Sequence, residues 1–185
     1  MAARRQLKFR TVFNLLGPLT NPAGARAQVA GVSEARFTEL VASAMGELGT
    51  ERAFVVHSSE GMDEISVAGE TRVSEVWAGE VRTRTLTPEE FGLKRAPIEA
   101  LAGGDAAANA AILRAVLAGE RGARRDVVLA NASAALVAAG CAADFREGAE
   151  RAAEAIDSGA AAEKLRALIE FSQKSGNAGQ RRRVP

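Results

Sequence analysis

The sequence predicts an α/β fold, a largely parallel sheet with a hairpin at one side, covered by Ala-rich helices. Two short apolar runs, 28–32 and 52–57, flank a stretch in which Phe37, Leu40, Val41, Met45 and Leu48 recur at spacings of three and four. Strand, helix and strand in that order form a right-handed crossover with parallel strands. Residues 65–77 then alternate apolar and polar on both sides of Gly69-Glu70, the pattern of a two-residue hairpin with Gly first. From Gly103 onward the chain turns Ala-rich, with helical runs bounded by Gly or by capping residues.

Taken in order, the first distinctive stretch is Arg10-Thr-Val-Phe-Asn-Leu-Leu-Gly-Pro-Leu-Thr-Asn-Pro-Ala23. Gly17-Pro18 and Asn21-Pro22 restrict the backbone of an otherwise apolar segment, so a short helix is expected to stop near Leu16. Arg10 stands at the entry to that turn. Its planar fork suits a carboxylate or phosphate, and on chemistry alone a surface ion pair is the more ordinary explanation. Ser33 is placed to cap the first crossover helix and Gly49 to end it. Residues 58–64 form a polar loop leaving the carboxyl end of the second strand, where parallel sheets line their ligand crevices. A further strand is expected over 81–86, and Trp77 is read as a packing residue covering the sheet edge. Thr87-Pro-Glu-Glu90 reads as a capped helix start. Helices follow over 105–118, 124–139, 144–158 and 161–173, with faces such as Ile112, Val116 and Leu117, or Leu129, Leu136 and Val137, expected to cover the sheet. Residues 175–185 lack apolar periodicity and are expected to be a disordered tail.

With 185 residues, 47% hydrophobic and 25% charged, the chain is long enough for one sizeable core. A net charge of +1 provides no global field to attract nucleic acid or an anionic membrane. A single cysteine, Cys141, excludes an internal disulfide, and its Ala/Gly surroundings predict a small buried residue. No apolar run is long enough for a membrane span, and the start has no apolar signal region, so a cytoplasmic protein is expected.

The run RTVFNLLGPLTNPA resembles the signature of the anthranilate phosphoribosyltransferase family. Further matches lie at Ala3-Arg-Arg-Gln-Leu7, at Gly61-Met-Asp-Glu64, and at Gly103-Gly-Asp105 with Asn109-Ala110. The resemblance spans roughly residues 3–172 and implies a nucleoside phosphorylase/phosphoribosyltransferase-like domain, with 1–174 as its carboxyl-terminal part. It implies transfer of phosphoribosyl from phosphoribosyl pyrophosphate to anthranilate in tryptophan biosynthesis, with Mg2+ as cofactor. It also implies a homodimer formed chiefly by amino-terminal helices. The family's glycine-rich GTGGD phosphate loop and its Lys-His-Gly-Asn stretch do not occur here. The chain is therefore expected to be truncated and inactive by itself.

The resemblance places the metal-binding acids on Asp63 and Glu64 and the anthranilate anchor on Arg10. Adjacent acids in a turn are by themselves ordinary solvated residues, although Mg2+ does favour one or two carboxylates with phosphates and water. His57-Ser58-Ser59-Glu60 departs from the His-Gly that more often leads into the family's turn. His57, the single histidine, has no Ser or Asp partner visible in the sequence and reads as structural. Cys141 follows a helix end, where a thiolate is disfavoured. Gly103-Gly-Asp105 lacks the Lys-Ser/Thr of a phosphate loop and reads as a turn with Asp105 capping a helix. A noncatalytic ligand- or nucleic-acid-binding relative of the same fold is the alternative reading.

Overall fold

A computed structural model describes the backbone of residues 13–181 and the side chains of 16–174. Among these residues four strands form one sheet in the order β1 (Ala27–Gly31), β2 (Arg52–Ser58), β3 (Thr71–Trp77) and β4 (Glu80–Leu86). The helices, in chain order, are α1 (Phe13–Leu19), α2 (Phe37–Glu47), α3 (Ala106–Leu117), α4 (Ala123–Ala138), α5 (Phe145–Asp157) and α6 (Ala160–Arg181). Short 3-10 turns at Pro88–Phe91 and Ile98–Leu101 link the sheet to the helical half.

The α/β class and the β1–α2–β2 crossover appear as expected, but the sheet is mixed. β1 and β2 are parallel; β2–β3 and β3–β4 are antiparallel. A parallel neighbour requires a crossover, and among the described strands only β1 and β2 are joined by a helix. The hairpin lies between β3 and β4, turning at Ala78-Gly79, both with positive φ (49° and 85°). The expected turn at Gly69-Glu70 does not form a hairpin. Upstream of β3, Thr71 Oγ1 accepts from Ser66 N–H at 3.0 Å and Ser66 Oγ from Ala68 N–H at 2.9 Å. These side chains satisfy the backbone that a ladder would otherwise pair.

The strand alternation sorts two cores. Phe54, Val56 and Val73 face α4 and α5, together with Leu86, Phe91, Leu129 and Phe145. Ala53, Val55 and Val76 face α2 through Val41, Ala42 and Met45. The buried side of α2 is therefore centred on Thr38, Val41, Ala42 and Met45, whereas Leu40 and Leu48 are exposed. Ser33 is not its cap: the helix begins after Arg36, and tight turns from Glu34 and Ala35 supply its first acceptors. α1 runs past Leu16 through Pro18 to Leu19. Thr20 then closes it by donating its hydroxyl to Leu16 O at 2.9 Å, and Asn21 Oδ1 accepts from Ala23 N–H.

α4 lies on β1 and β2, whereas α3 packs mainly on α4, α5 and α6. At the α4–α5 crossing a Cβ on Gly148 would come within 2.5 Å of Ser133 Oγ, and Ser133 donates to Phe145 O at 2.7 Å. Phe145 stacks at tilted angles on Phe54 and Phe91, with centroids 5.2 and 4.9 Å away. The expected caps are present: Asp105 accepts from Ala108 N–H and Asp144 from Glu147 N–H, each at 2.8 Å, and Thr87 with Glu90 closes a capping box.

Cys141 is exposed, contrary to its Ala-rich context. Gly140 (φ 70°) ends α4 in a Schellman closure, with Gly140 N–H donating to Val137 O and Cys141 N–H to Leu136 O, which turns the thiol outward. Trp77 sits half-exposed at the end of β3, with the Arg52 guanidinium 3.7 Å from its ring centroid. α6 is described to Arg181, beyond the Lys174 at which the sequence places the end of the ordered part. Among the described residues no helix is long and apolar enough to cross a membrane.

One ion pair ties the start of α4 to the end of α5. Arg125, only 1% exposed, donates two hydrogen bonds to Asp157 at 2.6 and 2.8 Å. Hydrogen bonding to Arg125 lowers the Asp157 pKa, against a smaller desolvation effect. A carboxyl lowered in the folded state stabilises the fold above its unfolded pKa of about 3.9, and that stability is lost as pH falls through the folded value. Asp157→Asn is expected to be less stable than the parent at pH 7, with the difference shrinking below about pH 4. Urea midpoints of both chains from pH 6 to pH 2 measure this.

Candidate functional site

Loop 59–70 leaves the carboxyl end of β2, beside the carboxyl end of its parallel neighbour β1. Its start is tied back to the strand: Ser58 N–H donates to Met62 O at 2.9 Å, and Met62 N–H donates to Ser58 Oγ at 3.0 Å. Ser59 N–H reaches Glu70 O at 2.8 Å, closing the loop's base. Its second half dives into the core, with Ile65, Ser66 and Val67 buried. Asp63 and Glu64, between these anchors, are exposed.

The two acids are adjacent and charged alike. Desolvation by surrounding protein raises the Glu64 pKa, and the Asp63 charge raises it further. An oxygen-preferring cation would relieve both effects, and carboxylates are the donors such a cation takes. The described residues contain no group of three or more His, Cys, Asp or Glu that could hold a metal. A cation on this pair would therefore keep further positions for water or phosphate, as Mg2+ does with one or two protein carboxylates.

Arg10 lies outside the described residues. His57, on β2 just before the loop, places Nδ1 2.8 Å from Val32 O, so that nitrogen carries the proton and donates. This bond ties the segment after β1 to the end of β2, alongside Val32 N–H donating to Val56 O at 3.0 Å. Through Nδ1, His57 thus has a structural contact, holding the segment after β1 against the end of β2. Gly104, in the turn before α3, is held by Asn109, whose side chain accepts from Gly104 N–H and donates to Gly104 O.

Two contributors to the acidic loop are not singled out by sequence reading. Gly31 ends β1 against the loop, where an added Cβ would overlap the Asp63 carbonyl oxygen. Asn131, on α4, accepts from Ile65 N–H at 3.0 Å and donates to Ile65 O at 2.9 Å. One signal was available: an Asn in the middle of an Ala-rich helix is a poor helix former and needs another use.

With this geometry in place, the protein-family model described as "Glycosyl transferase family, a/b domain" matches residues 1–162. The chain belongs to this family. Among curated members, an anthranilate phosphoribosyltransferase of Anaeromyxobacter dehalogenans is 58% identical over 166 residues, which make up 90% of this chain and 49% of that protein. One from Desulfatibacillum aliphaticivorans is 51% identical over 95% of this chain and 52% of its own length. The chain thus spans about half the length of these relatives. A crystal structure of the enzyme from Thermus thermophilus superposes with a TM-score of 0.84 at 47% identity, over 92% of this chain and 50% of that one. The Saccharomyces cerevisiae enzyme in complex with PRPP and Mg gives 0.79 at 29% identity, over 91% and 49%. Mg therefore occurs with a glycosyl transferase family member of this fold.

The raised pKa of Glu64 has a sign that can be measured. A carboxyl raised in the folded state costs stability when ionised, and the cost vanishes once it is protonated in both states. Glu64→Gln is expected to melt slightly higher than the parent at pH 7, by less than about 0.5 kcal/mol for so exposed a residue. The gain should fade as pH drops through the folded pKa of Glu64 towards about 4. Thermal melts at pH 7 and pH 4 without divalent cations check it.

Proposed function

We propose that these residues form the part of an anthranilate phosphoribosyltransferase that holds the divalent cation and the acceptor carboxylate. The observation that carries this reading is the Asp63–Glu64 pair, exposed on a backbone-anchored loop at the carboxyl end of β2. The similarity to anthranilate phosphoribosyltransferases of three bacteria and to the yeast enzyme holding PRPP and Mg supports it.

In the proposed reaction the amine of anthranilate displaces pyrophosphate from C1 of phosphoribosyl pyrophosphate. Asp63 and Glu64 would hold Mg2+ by carboxylate oxygens, leaving coordination positions for substrate oxygens. When bound, that cation supplies neutralisation of the charge developing on the departing diphosphate. Arg10 would grip the anthranilate carboxylate through two parallel hydrogen bonds and so orient the amine. No covalent nucleophile is required of this chain. His57 Nδ1 is engaged by Val32 O, and Cys141 lies in the α4–α5 turn rather than on the acidic loop.

The test joins these 185 residues to the complementary half of the Thermus relative and follows anthranilate consumption, with the 185 residues alone as reference. Turnover that depends on the join and on Mg2+ is expected; a folded chimera without it would overturn the reading. In the active chimera Arg10→Ala should raise the KM for anthranilate about ten- to a hundredfold, the equivalent of roughly 1.5–3 kcal/mol for a charged hydrogen bond. The KM for phosphoribosyl pyrophosphate should hardly change. Arg10→Lys should recover only part of the loss, since an ammonium lacks the planar fork. Equal rises in both constants would make Arg10 a scaffold residue.

The acidic pair has its own expected outcome. Asp63→Asn and Glu64→Gln should each move the Mg2+ dependence of the chimera to higher concentration by roughly tenfold or more without lowering the melting temperature. Unchanged magnesium titrations would exclude the pair as the metal site.

A further inference from the structure

We infer that Asn131 is a positioning residue for the Asp63–Glu64 carboxylates, acting through the backbone of Ile65. The inference rests on the reading of that pair as the cation site, and its physical basis is the way the loop is held. Three short anchors bracket two residues. On one side Met62 is tied to Ser58 through both its N–H and its carbonyl. Beneath, the Asp63 carbonyl sits so close to Gly31 that no side chain fits between them. On the other side the Asn131 amide takes both backbone groups of Ile65, at 3.0 and 2.9 Å, across 66 residues of sequence.

The Asn131 side chain is fixed in turn. Its Nδ2 also donates to Val127 O one turn earlier in α4, at 2.9 Å, so both amide hydrogens are used and the flip state is determined. A two-point amide clamp of this kind replaces a strand neighbour where no strand runs. Ile65 is 1% exposed, so its peptide groups depend on partners within the protein. Between Met62 and Ile65, Asp63 and Glu64 face solvent, with their backbones pinned from both directions.

Holding two like charges side by side opposes their repulsion, and a loop without anchors would let them part. Asn131 therefore commits its hydrogen bonds to keeping a charge pair together, using a rigid 16-residue helix as the support. Groups that orient metal-holding residues from behind change metal affinity about 10- to 100-fold when removed. A residue that served only the fold would alter stability without that selectivity.

The experiment uses the 185-residue chain and Mn2+ as the probe, with free ion read by electron paramagnetic resonance. Backbone amide exchange over residues 59–70 and over the sheet, together with thermal melts, is recorded in parallel. Asn131→Ala, the milder Asn131→Ser, and the double variant Asp63→Asn/Glu64→Gln are compared with the parent. The parent is expected to bind Mn2+ and the double variant not to, with its loop exchange unchanged. Asn131→Ala is expected to bind about tenfold or more weakly, with faster exchange confined to residues near 62–66 and a protected sheet. Asn131→Ser is expected to lie between the two and serves in place of Asn131→Ala if the latter does not fold. Parent-like Mn2+ binding and loop exchange in both Asn131 variants would overturn the inference, as would faster exchange spread evenly over the whole chain. If the double variant binds Mn2+ like the parent, or the parent does not bind it, the cation reading fails instead. The exchange pattern then decides alone whether Asn131 holds the acidic loop.

Discussion

A connection without regular structure, residues 59–70, must pass through the core between β2 and β3, and much of the molecule is arranged around that requirement. Ile65, Ser66 and Val67 are buried, so their peptide groups cannot turn to water. Side chains take over the duty of a ladder: Asn131 for Ile65, Thr71 for Ser66 and Ser66 for Ala68. The backbone joins in, with Ala96 N–H donating to Val67 O at 2.9 Å. α4 must therefore sit at a set height over β1 and β2. Its tight crossing with α5 at Gly148 and Ser133, and the Arg125–Asp157 pair, tie it to the neighbouring helix.

The same arrangement explains how exposed acids come to lie on a rigid base. In a loop held only by its ends, Asp63 and Glu64 would sample many separations. Here the neighbouring residues are paired to a strand, a glycine and a helix, and the chain's irregular path becomes as well supported as a strand. Precision of this kind suits a group whose task is electrostatic, because the benefit of a preorganised charge depends on its not having to move.

Much of this was legible in the sequence, and the failures share a cause. Apolar periodicity located α2, Gly and capping residues bounded the four later helices, and Asp105, Thr87 and Asp144 marked starts correctly. The run 28–32 and the run 52–57 gave the parallel pair. The acidic turn could be named but not its supports, since an Asn 66 residues away leaves no local trace. The Gly69-Glu70 turn was misplaced because alternation at 65–69 satisfies burial without strand pairing: Ile65 and Val67 face the core from a loop. Cys141 was misplaced because Ala-rich surroundings describe composition, whereas the Schellman closure at Gly140 decides direction. Arg10 belongs to a stretch outside the described residues, so its role is carried by motif alone.

The stack of Arg52 on Trp77 has an optical consequence. The chain holds one tryptophan and no tyrosine, so its near-ultraviolet absorption and emission come almost wholly from a single indole. That indole pairs with Arg52 at the start of β2, whereas the acidic loop departs from Ser58 at the other end, about 20 Å away at ~3.3 Å per residue. A guanidinium over the ring face, with Glu75 3.5 Å from that guanidinium, gives the fluorophore a charged and partly wet surrounding. Its emission will follow the parting of β2 from β3 at this end of the sheet and stay silent to events at the loop. Intrinsic fluorescence thus offers a built-in channel for global unfolding, spectrally independent of ligand occupancy at the opposite end of the sheet.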